Sequence, residues 1–297
     1  MEKYLLYLLV LYINYDFCSS QDNGHNKAIF CYVHQRQANG DFRFNMSNME
    51  PSLCTHIVIS HVGINEKTYR IKNISDLTDY YALKKQNKDL KILIGVGGWS
   101  DGSIKYSKMA ANTNYQKTFV KSIMESLNTD FIDGVDLGWD TPTQRGGKPE
   151  DRQNYVALLM ELSKALKPKG YLLTVSLRIQ YNDLTSIFDL ASINCYVDFV
   201  NIFSFDYNKA PFGVVDANTP LRARGPNDTR NVESTIKYLI SKGVSPNKLI
   251  LGLAMRGHTF IINDTNAGDV VFGNTKSQKI GFPGPFLNQT DFIGYNE

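Results

Sequence analysis

The sequence predicts an α/β fold in which short buried strands alternate with amphipathic helices. Seven short apolar runs are separated by longer segments of helical periodicity, which is typical of repeated β–α units. The runs are almost continuously apolar, and this favours a parallel sheet covered by helices. The chain has 297 residues, of which 42% are hydrophobic, so it can form one large domain of the size of an α/β barrel.

The predicted elements follow in chain order. The apolar runs predict strands at residues 28–33, 57–61, 92–96, 134–139, 172–177, 199–203 and 249–253. Apolar residues at helical spacing predict helices at residues 114–128, 151–166 and 232–242, and Gly243 follows the last of these as a C-terminal cap. No linker or internal repeat divides the chain.

The first 20 residues have the features of a secretory signal peptide. Lys3 precedes an apolar run of about 10 residues, which is too short to span a bilayer. Small residues at Cys18 and Ser20 suit a cleavage site. A buried N-terminal strand is the alternative, but the abrupt change to polar residues 21–26 disfavours it. We therefore expect residues 1–20 to be a leader, residues 21–297 to be the mature domain, and the protein to be secreted and extracellular.

Charge excludes two classes of partner. The formal net charge is +3, too small to indicate nucleic acid or an anionic membrane surface. No basic stripe with interleaved aromatic residues appears, and no apolar run is long enough to predict a membrane span. The sequence also lacks metal-ligand spacing and a phosphate-binding loop, so we expect no metal and no cofactor.

The most informative stretch is residues 131–142, Phe-Ile-Asp-Gly-Val-Asp-Leu-Gly-Trp-Asp-Thr-Pro. With the period of two of a strand, Asp136, Gly138 and Asp140 share one face. The opposite face carries Val135, Leu137 and Trp139, which can pack under helices. Because buried carboxylates are costly away from a polar site, the acidic face indicates a functional site near the end of this strand.

This stretch resembles the active-site signature of family 18 chitinases, Asp-Gly-x-Asp-x-Asp-x-Glu. The matching residues are Asp133, Gly134, Asp136, Trp139 and Pro142. Three positions depart from the family: Gly138 replaces an Asp, Asp140 replaces the catalytic Glu, and Thr141 replaces a Tyr. The resemblance implies a (β/α)8 TIM barrel with the signature on its fourth strand.

Other motifs extend the resemblance over nearly the whole mature chain. They are Cys31-Tyr32, Cys54-Thr55-His56, Gly97-Gly98-Trp99-Ser100, residues 197–206 and residues 252–257. The family pattern implies a Cys31–Cys54 disulfide, which leaves Cys195 as a buried thiol. It also implies that residues from about 258 to 297 form the first part of an α+β insertion. Since no eighth strand-like run is present, we expect the barrel to be truncated after strand seven.

The resemblance assigns roles that the altered residues perform poorly. Family members protonate the glycosidic oxygen with the strand-four Glu, and a neighbouring Asp and a sixth-strand Tyr orient the substrate's N-acetyl group. Asp140 is shorter than Glu by one methylene, about 1.5 Å, whereas proton transfer needs heavy atoms within about 2.6–3.2 Å. Gly138 has no side chain, and Phe205 lacks the Tyr hydroxyl. Hydrolysis is therefore not expected, and no catalytic residue is intact among Asp133, Asp136, Gly138 and Asp140.

Three functions remain open at this stage. The first is a non-catalytic protein that binds chitin or N-acetylglucosamine oligosaccharides, with a growth-factor or matrix-organising role by resemblance to the imaginal disc growth factors. The second is a weakened chitinase that uses Asp140 as its acid. The third is a secreted ligand that binds an extracellular protein or receptor and no sugar.

The candidate ligand-binding residues each have a structural alternative. The candidates are Tyr32, Trp99, Asp136, Asp140, Phe205 and Asp206. Trp99 could stack on a sugar or fill the top of the barrel. Asp133 and Asp136 could hydrogen-bond the backbone or each other near the barrel mouth. Tyr32 could belong to the core and Asp206 could be structural, while His61 is expected to be a hydrogen-bonded core histidine. Sequons predict glycosylation at Asn45, Asn73, Asn227, Asn263 and Asn288.

Overall fold

The computed structural model describes residues 27–34, 46–74, 76–179, 184–208, 214–262, 275–285, 290 and 292–294. The predicted leader, residues 1–20, lies outside these residues, as do the sequon asparagines Asn45, Asn263 and Asn288. Asn73 and Asn227 are within them and lie outside helices and strands, which suits a glycan acceptor. No helix in the described part of the chain is long and apolar enough to cross a bilayer.

A parallel sheet of seven strands forms the centre of the molecule. Its order follows the chain from β1 to β7, and every neighbouring pair is parallel. The strands are β1 Phe30–His34, β2 His56–Val62, β3 Lys91–Gly97, β4 Gly134–Gly138, β5 Leu172–Arg178, β6 Phe199–Phe203 and β7 Leu249–Leu251. All seven predicted strands are confirmed, with small differences at their ends.

Helices cover the outer surface of this sheet. They are α1 Thr78–Gln86, α2 Ile104–Ala110, α3 Thr113–Ser126, α4 Asp151–Leu166, α5 Leu190–Tyr196 and α6 Val232–Ser241. The three predicted helices correspond to α3, α4 and α6. The shorter α1, α2 and α5 were not predicted, because seven to nine residues give little periodic signal. Asn112 and Asn231 cap α3 and α6 by accepting bonds from backbone N–H groups.

The alternation predicted for β4 is confirmed. Val135, Leu137 and Trp139 are buried in the hydrophobic core beneath the helices. The Trp139 ring lies 5.7 Å from the rings of Tyr106 and of Tyr155, which come from α2 and α4. This packing holds β4 at a fixed rotation, so Asp136 is directed to the inside of the sheet's curve.

The expected Cys31–Cys54 disulfide is present and joins β1 to the residues just before β2. It closes a loop with a sequence separation of 23 residues, for which the chain-entropy estimate is about 3 kcal/mol of stabilisation. The expectation of a free buried thiol at Cys195 is wrong. That residue is half-buried on α5 and is disulfide-bonded.

After β7 the chain leaves the parallel sheet. β8 Arg256–His258 pairs antiparallel with β11 Phe292–Gly294, and β9 Phe260–Ile262 pairs antiparallel with β10 Ser277–Ile280. In the described ranges no eighth strand pairs with β1 or β7. The domain boundaries, including an insertion from about residue 258, stay a prediction.

Candidate functional site

The carboxyl ends of the seven strands meet at one face of the sheet. Because the strands are parallel, residues at or just after these ends lie close together, which is where barrel proteins place their sites. Tyr32 comes from β1, His61 from β2, Trp99 follows β3, Asp140 follows β4, and Arg178 ends β5. The candidate site is therefore built by five consecutive strands.

Asp136 lies at the inner end of this site and is fully buried. Its Oδ1 accepts hydrogen bonds from Thr174 Oγ1 at 2.5 Å and Asn201 Nδ2 at 3.1 Å, and its Oδ2 accepts one from Tyr32 hydroxyl at 3.1 Å. Burial raises the pKa of Asp136 above its ordinary value, although these donors oppose the rise. Burial and the nearby Asp136 carboxyl likewise raise the pKa of Tyr32. This side-chain network connects β1, β4, β5 and β6.

Asp133 lies at the opposite end of β4. Its carboxylate accepts hydrogen bonds from Lys84 Nζ at 2.7 Å and from the backbone N–H of Ile92 at 2.8 Å. The alternative that it bonds the backbone is confirmed, but its expected position near the barrel mouth is wrong. Asp133 precedes β4, whereas the site lies beyond the other end of that strand.

Gly138 leaves a gap that neighbouring side chains have entered. A Cβ at Gly138 would lie 2.9 Å from Ser176 Oγ and 3.5 Å from His61 Nε2. His61 Nε2 has no hydrogen-bond partner among the described residues. The expectation that His61 is a hydrogen-bonded core histidine is therefore wrong for its Nε2. Burial, with His34 and Arg178 nearby, lowers the pKa of His61 to about 4, so this ring is neutral at pH 7.

Asp140 is 4% exposed and faces Arg178. Its Oδ2 lies 3.5 Å from Arg178 Nε, and neither carboxylate oxygen has a hydrogen-bond partner in the described ranges. Burial raises the pKa of Asp140, and the positive charge of Arg178 opposes the rise. The position that would hold a catalytic acid therefore holds a buried ion pair with little access to solvent.

Trp99 is 49% exposed and follows a glycine pair. A Cβ at Gly97 would overlap the carbonyl oxygen of Gly138, and its φ is 114°, so this close approach of β3 and β4 requires glycine. The indole lies under two arginines. Arg145 Cζ is 3.8 Å and Arg178 Cζ is 4.9 Å from its ring centroid. The exposed ring disfavours the alternative that Trp99 only fills the barrel.

Aromatic rings continue the site from β1 to β6. The Tyr32 and Phe203 rings are 5.4 Å apart, and the Phe203 and Phe205 rings are 5.5 Å apart. These distances are typical of aromatic pairs. Phe205, the position of the expected Tyr, thus belongs to a partly buried aromatic row that reaches Tyr32.

Asp206 anchors the segment after β7. It is 6% exposed and accepts hydrogen bonds from Arg256 Nη2 at 2.8 Å and His258 Nε2 at 3.0 Å. Burial opposes ionisation, but the bond from His258 and the charge of Arg256 hold the pKa of Asp206 below its ordinary value. This geometry supports the structural alternative for Asp206, since its carboxylate is occupied by β8.

Sequence reasoning missed the two arginines. Arg178 directly follows the fifth apolar run, at the end of the strand that faces the site, and this position was its only signal. Arg145 lies in the irregular loop after β4, and no pattern in the sequence indicates which residues this loop contacts. No group of three potential metal-ligating side chains occurs among the described residues.

Comparison with known proteins identifies the family. The model of glycosyl hydrolases family 18 matches residues 28–297. The chain belongs to this family. It is 34% identical to "Probable chitinase 2" of Drosophila melanogaster, over 92% of this chain and 58% of that protein. It is 28% identical to Chitotriosidase-1 of Mus musculus, over 86% of this chain and 57% of that protein. The chain thus spans just over half the length of these two relatives.

Solved structures of family 18 proteins confirm the (β/α)8 TIM-barrel fold class. The Group IV chitinase of Ostrinia furnacalis superposes with a TM-score of 0.84 at 29% identity, covering 92% of this chain and 77% of that one. Human YKL-39, described as a pseudo-chitinase with retained chitooligosaccharide binding properties, superposes with a TM-score of 0.81 at 24% identity and the same coverage. At that identity the second likeness shows the fold alone.

Proposed function

We propose that this protein is a non-catalytic, secreted family 18 member that binds chitin or N-acetylglucosamine oligosaccharides at the carboxyl ends of the strands. The observation that carries the proposal is the state of Asp140, which is buried and paired with Arg178. A general acid must come within about 2.6–3.2 Å of the oxygen that it protonates. A short carboxyl group held beneath the surface by a cation does not meet this requirement.

The neighbouring residues support the loss of hydrolysis. Gly138 offers no carboxylate to orient an N-acetyl group, and Ser176 and His61 lie in the space around it. Phe205 offers a ring without a hydroxyl group. Each missing contact to a transition state typically costs a factor of about 10² or more in rate, and here three are missing together.

Sugar binding makes smaller demands, and the face at the carboxyl ends of the strands, called the cleft below, has side chains that suit it. Trp99 offers an exposed indole, and the aromatic row of Tyr32, Phe203 and Phe205 lines the inner side. Apolar and aromatic walls with a few polar groups are typical of ligand sites. Chitooligosaccharide binding without hydrolysis is the combination described for human YKL-39, which has this fold.

The extracellular part of the proposal rests on the N-terminal leader pattern and on the Cys31–Cys54 disulfide. Disulfides persist in oxidising compartments and are rare in the cytosol. A growth-factor or matrix-organising role, with an extracellular protein partner, remains part of this proposal by resemblance alone.

The test uses secreted full-length protein. Titration calorimetry with a chitin tetramer is expected to give saturable binding, and a product assay on the same sample is expected to remain negative over several hours. Trp99→Ala should abolish binding, since it removes the exposed stacking surface. If this protein instead binds a protein partner and no sugar, neither the wild type nor Trp99→Ala should give binding heat with the tetramer.

One observation favours an active enzyme as the second candidate. Burial raises the pKa of Asp140, and a raised pKa is what a carboxylic general acid requires. Product that appears with the wild type and disappears in Asp140→Ala would establish this candidate and overturn the non-catalytic proposal.

A further inference from the structure

The Trp99 end of the cleft carries positive charge on its aromatic surface. Arg145 and Arg178 approach the same indole, with Cζ atoms 3.8 Å and 4.9 Å from the ring centroid. Arg145 comes from the loop after β4 and Arg178 from the end of β5, so two separate segments bring cations to one ring. Cations within about 6 Å of an indole centroid are attracted by its electron-rich face.

Arg145 is held at this position by its backbone as well as by its side chain. Its Nη1 donates a hydrogen bond to the carbonyl oxygen of Trp99. Its φ is 53°, and that of the next residue, Gly146, is 91°. The left-handed region is unfavourable for a residue with a side chain, so the loop adopts a costly conformation that places this guanidinium over the indole.

Arg145 is exposed and has no carboxylate within ion-pair distance among the described residues. The Asp140 carboxyl is near enough to feel its charge, but Asp140 is shared with Arg178, so two cations face one carboxyl group. Within the described ranges, the ion pair of Arg178 is the 3.5 Å contact with Asp140. Asp101, the acid that directly follows Trp99-Ser100, is already occupied by Lys105, Tyr106 and the backbone N–H of Ile64.

We propose that the Trp99 end of the cleft is a subsite for a negatively charged sugar, namely an N-acetylhexosamine unit that carries a sulfate or carboxylate group. This inference rests on the proposed sugar-binding function and specifies its ligand. A guanidinium presents a planar fork of N–H donors that matches a carboxylate or sulfate in two-point contact. A neutral sugar offers only single hydroxyl or carbonyl acceptors to this fork, which bind it more weakly than an anionic group does, and it finds part of the indole covered by Arg145.

The test compares two ligands that differ only in charge. A neutral chitin tetramer and its 6-O-sulfated counterpart are titrated into the full-length protein by calorimetry, at low and at high salt. The sulfated tetramer is expected to bind at least about ten-fold more tightly at low salt, and this advantage should shrink at high salt.

Arg145→Gln identifies the source of the preference. This variant should lose most of the advantage for the sulfated tetramer, measured as the ratio of its affinity to that for the neutral tetramer. The matched control is Arg70→Gln, which removes an exposed arginine paired with Glu125 on α3, outside the cleft. The control should keep the full preference.

Three results would overturn the inference. Equal affinity for the two tetramers, with both binding, would reject the charged subsite and leave the proposed function intact. An equal loss of preference in Arg145→Gln and Arg70→Gln would show that the attraction comes from overall charge. Absence of binding by either tetramer would reject the proposed function and this inference with it.

Discussion

Two buried carboxyl groups at the end of β4 have opposite surroundings. Asp136 accepts three hydrogen bonds from neutral side chains on neighbouring strands, whereas Asp140 faces one cation at 3.5 Å and accepts no hydrogen bond from the described residues. The first environment is a completed polar network, and the second is an ion pair with unsatisfied atoms. The inner half of the site, around Asp136, is therefore a complete hydrogen-bond network between strands. The outer half, around Asp140, has an ion pair with Arg178 at the position of the family's acid.

The largest expected effect is the loss of the inner network. Asp136→Ala leaves the buried donors of Thr174, Asn201 and Tyr32 without their acceptor, and we expect it to lower the free energy of unfolding by about 3 kcal/mol or more. Asp140→Ala should cost less than Asp136→Ala, because the ion pair that it removes is long and accepts no hydrogen bond from the described residues, and Arg178 keeps its contact with the Trp99 ring. Urea denaturation of both variants measures the difference. Equal losses would contradict the distinction between the two halves.

Restoring the family's acids should not restore hydrolysis. In Gly138→Asp/Asp140→Glu, the new side chain at position 138 meets Ser176 Oγ, and we expect a loss of about 1–3 kcal/mol of stability with no released product. Adding Ser176→Ala should recover part of that stability, since it removes the obstructing atom.

The control for this experiment is Ser176→Ala alone, measured by the same urea denaturation and product assay. If the double variant were as stable as the wild type and released product from a chitin tetramer, the residues at positions 138 and 140 alone would account for the proposed lack of hydrolysis, and the packing of Ser176 and His61 around position 138 would not be an obstacle.

The smallest expected effect is on the pH dependence of the free energy of unfolding, to which Asp136 and Asp206 should contribute with opposite signs. A raised pKa in the folded state means that the Asp136 contribution is complete below the unfolded pKa of about 3.9 and is lost as pH rises through the folded value. A lowered pKa means that the Asp206 contribution is present above the unfolded pKa and is lost as pH falls through the folded value.

The measurement is the difference in unfolding free energy between the wild type and each Asn variant from about pH 2 to pH 8. For Asp136→Asn the wild-type advantage should decrease as pH rises above about 4, and for Asp206→Asn it should decrease as pH falls below about 4. Parallel curves for the two variants would contradict the assignments.

Much of the fold follows from local sequence pattern. The apolar runs and their alternation with helical segments predicted all seven parallel strands, and the period of two in β4 predicted which of its residues face the core. The resemblance to family 18 supplied the Cys31–Cys54 disulfide. These features depend on short-range periodicity or on motifs, and both can be read from a single chain.

The outer half of the site depends on contacts that no local pattern encodes. Arg145 reaches Trp99 through a loop with left-handed backbone, and Arg178 reaches both Trp99 and Asp140 because β5 lies beside β4. Similarly, His61 was expected to be hydrogen-bonded because most core histidines are, but its neighbour across the sheet is Gly138. Such pairings appear only once strand order and register are known.

The Cys31–Cys54 disulfide is expected to make the candidate site sensitive to the redox state of its surroundings. β1 is an edge strand that pairs only with β2 in the described residues, and Cys31 is the direct neighbour of Tyr32, which donates to Asp136. Reduction of the cross-link loosens this edge and, with it, one wall of the cleft.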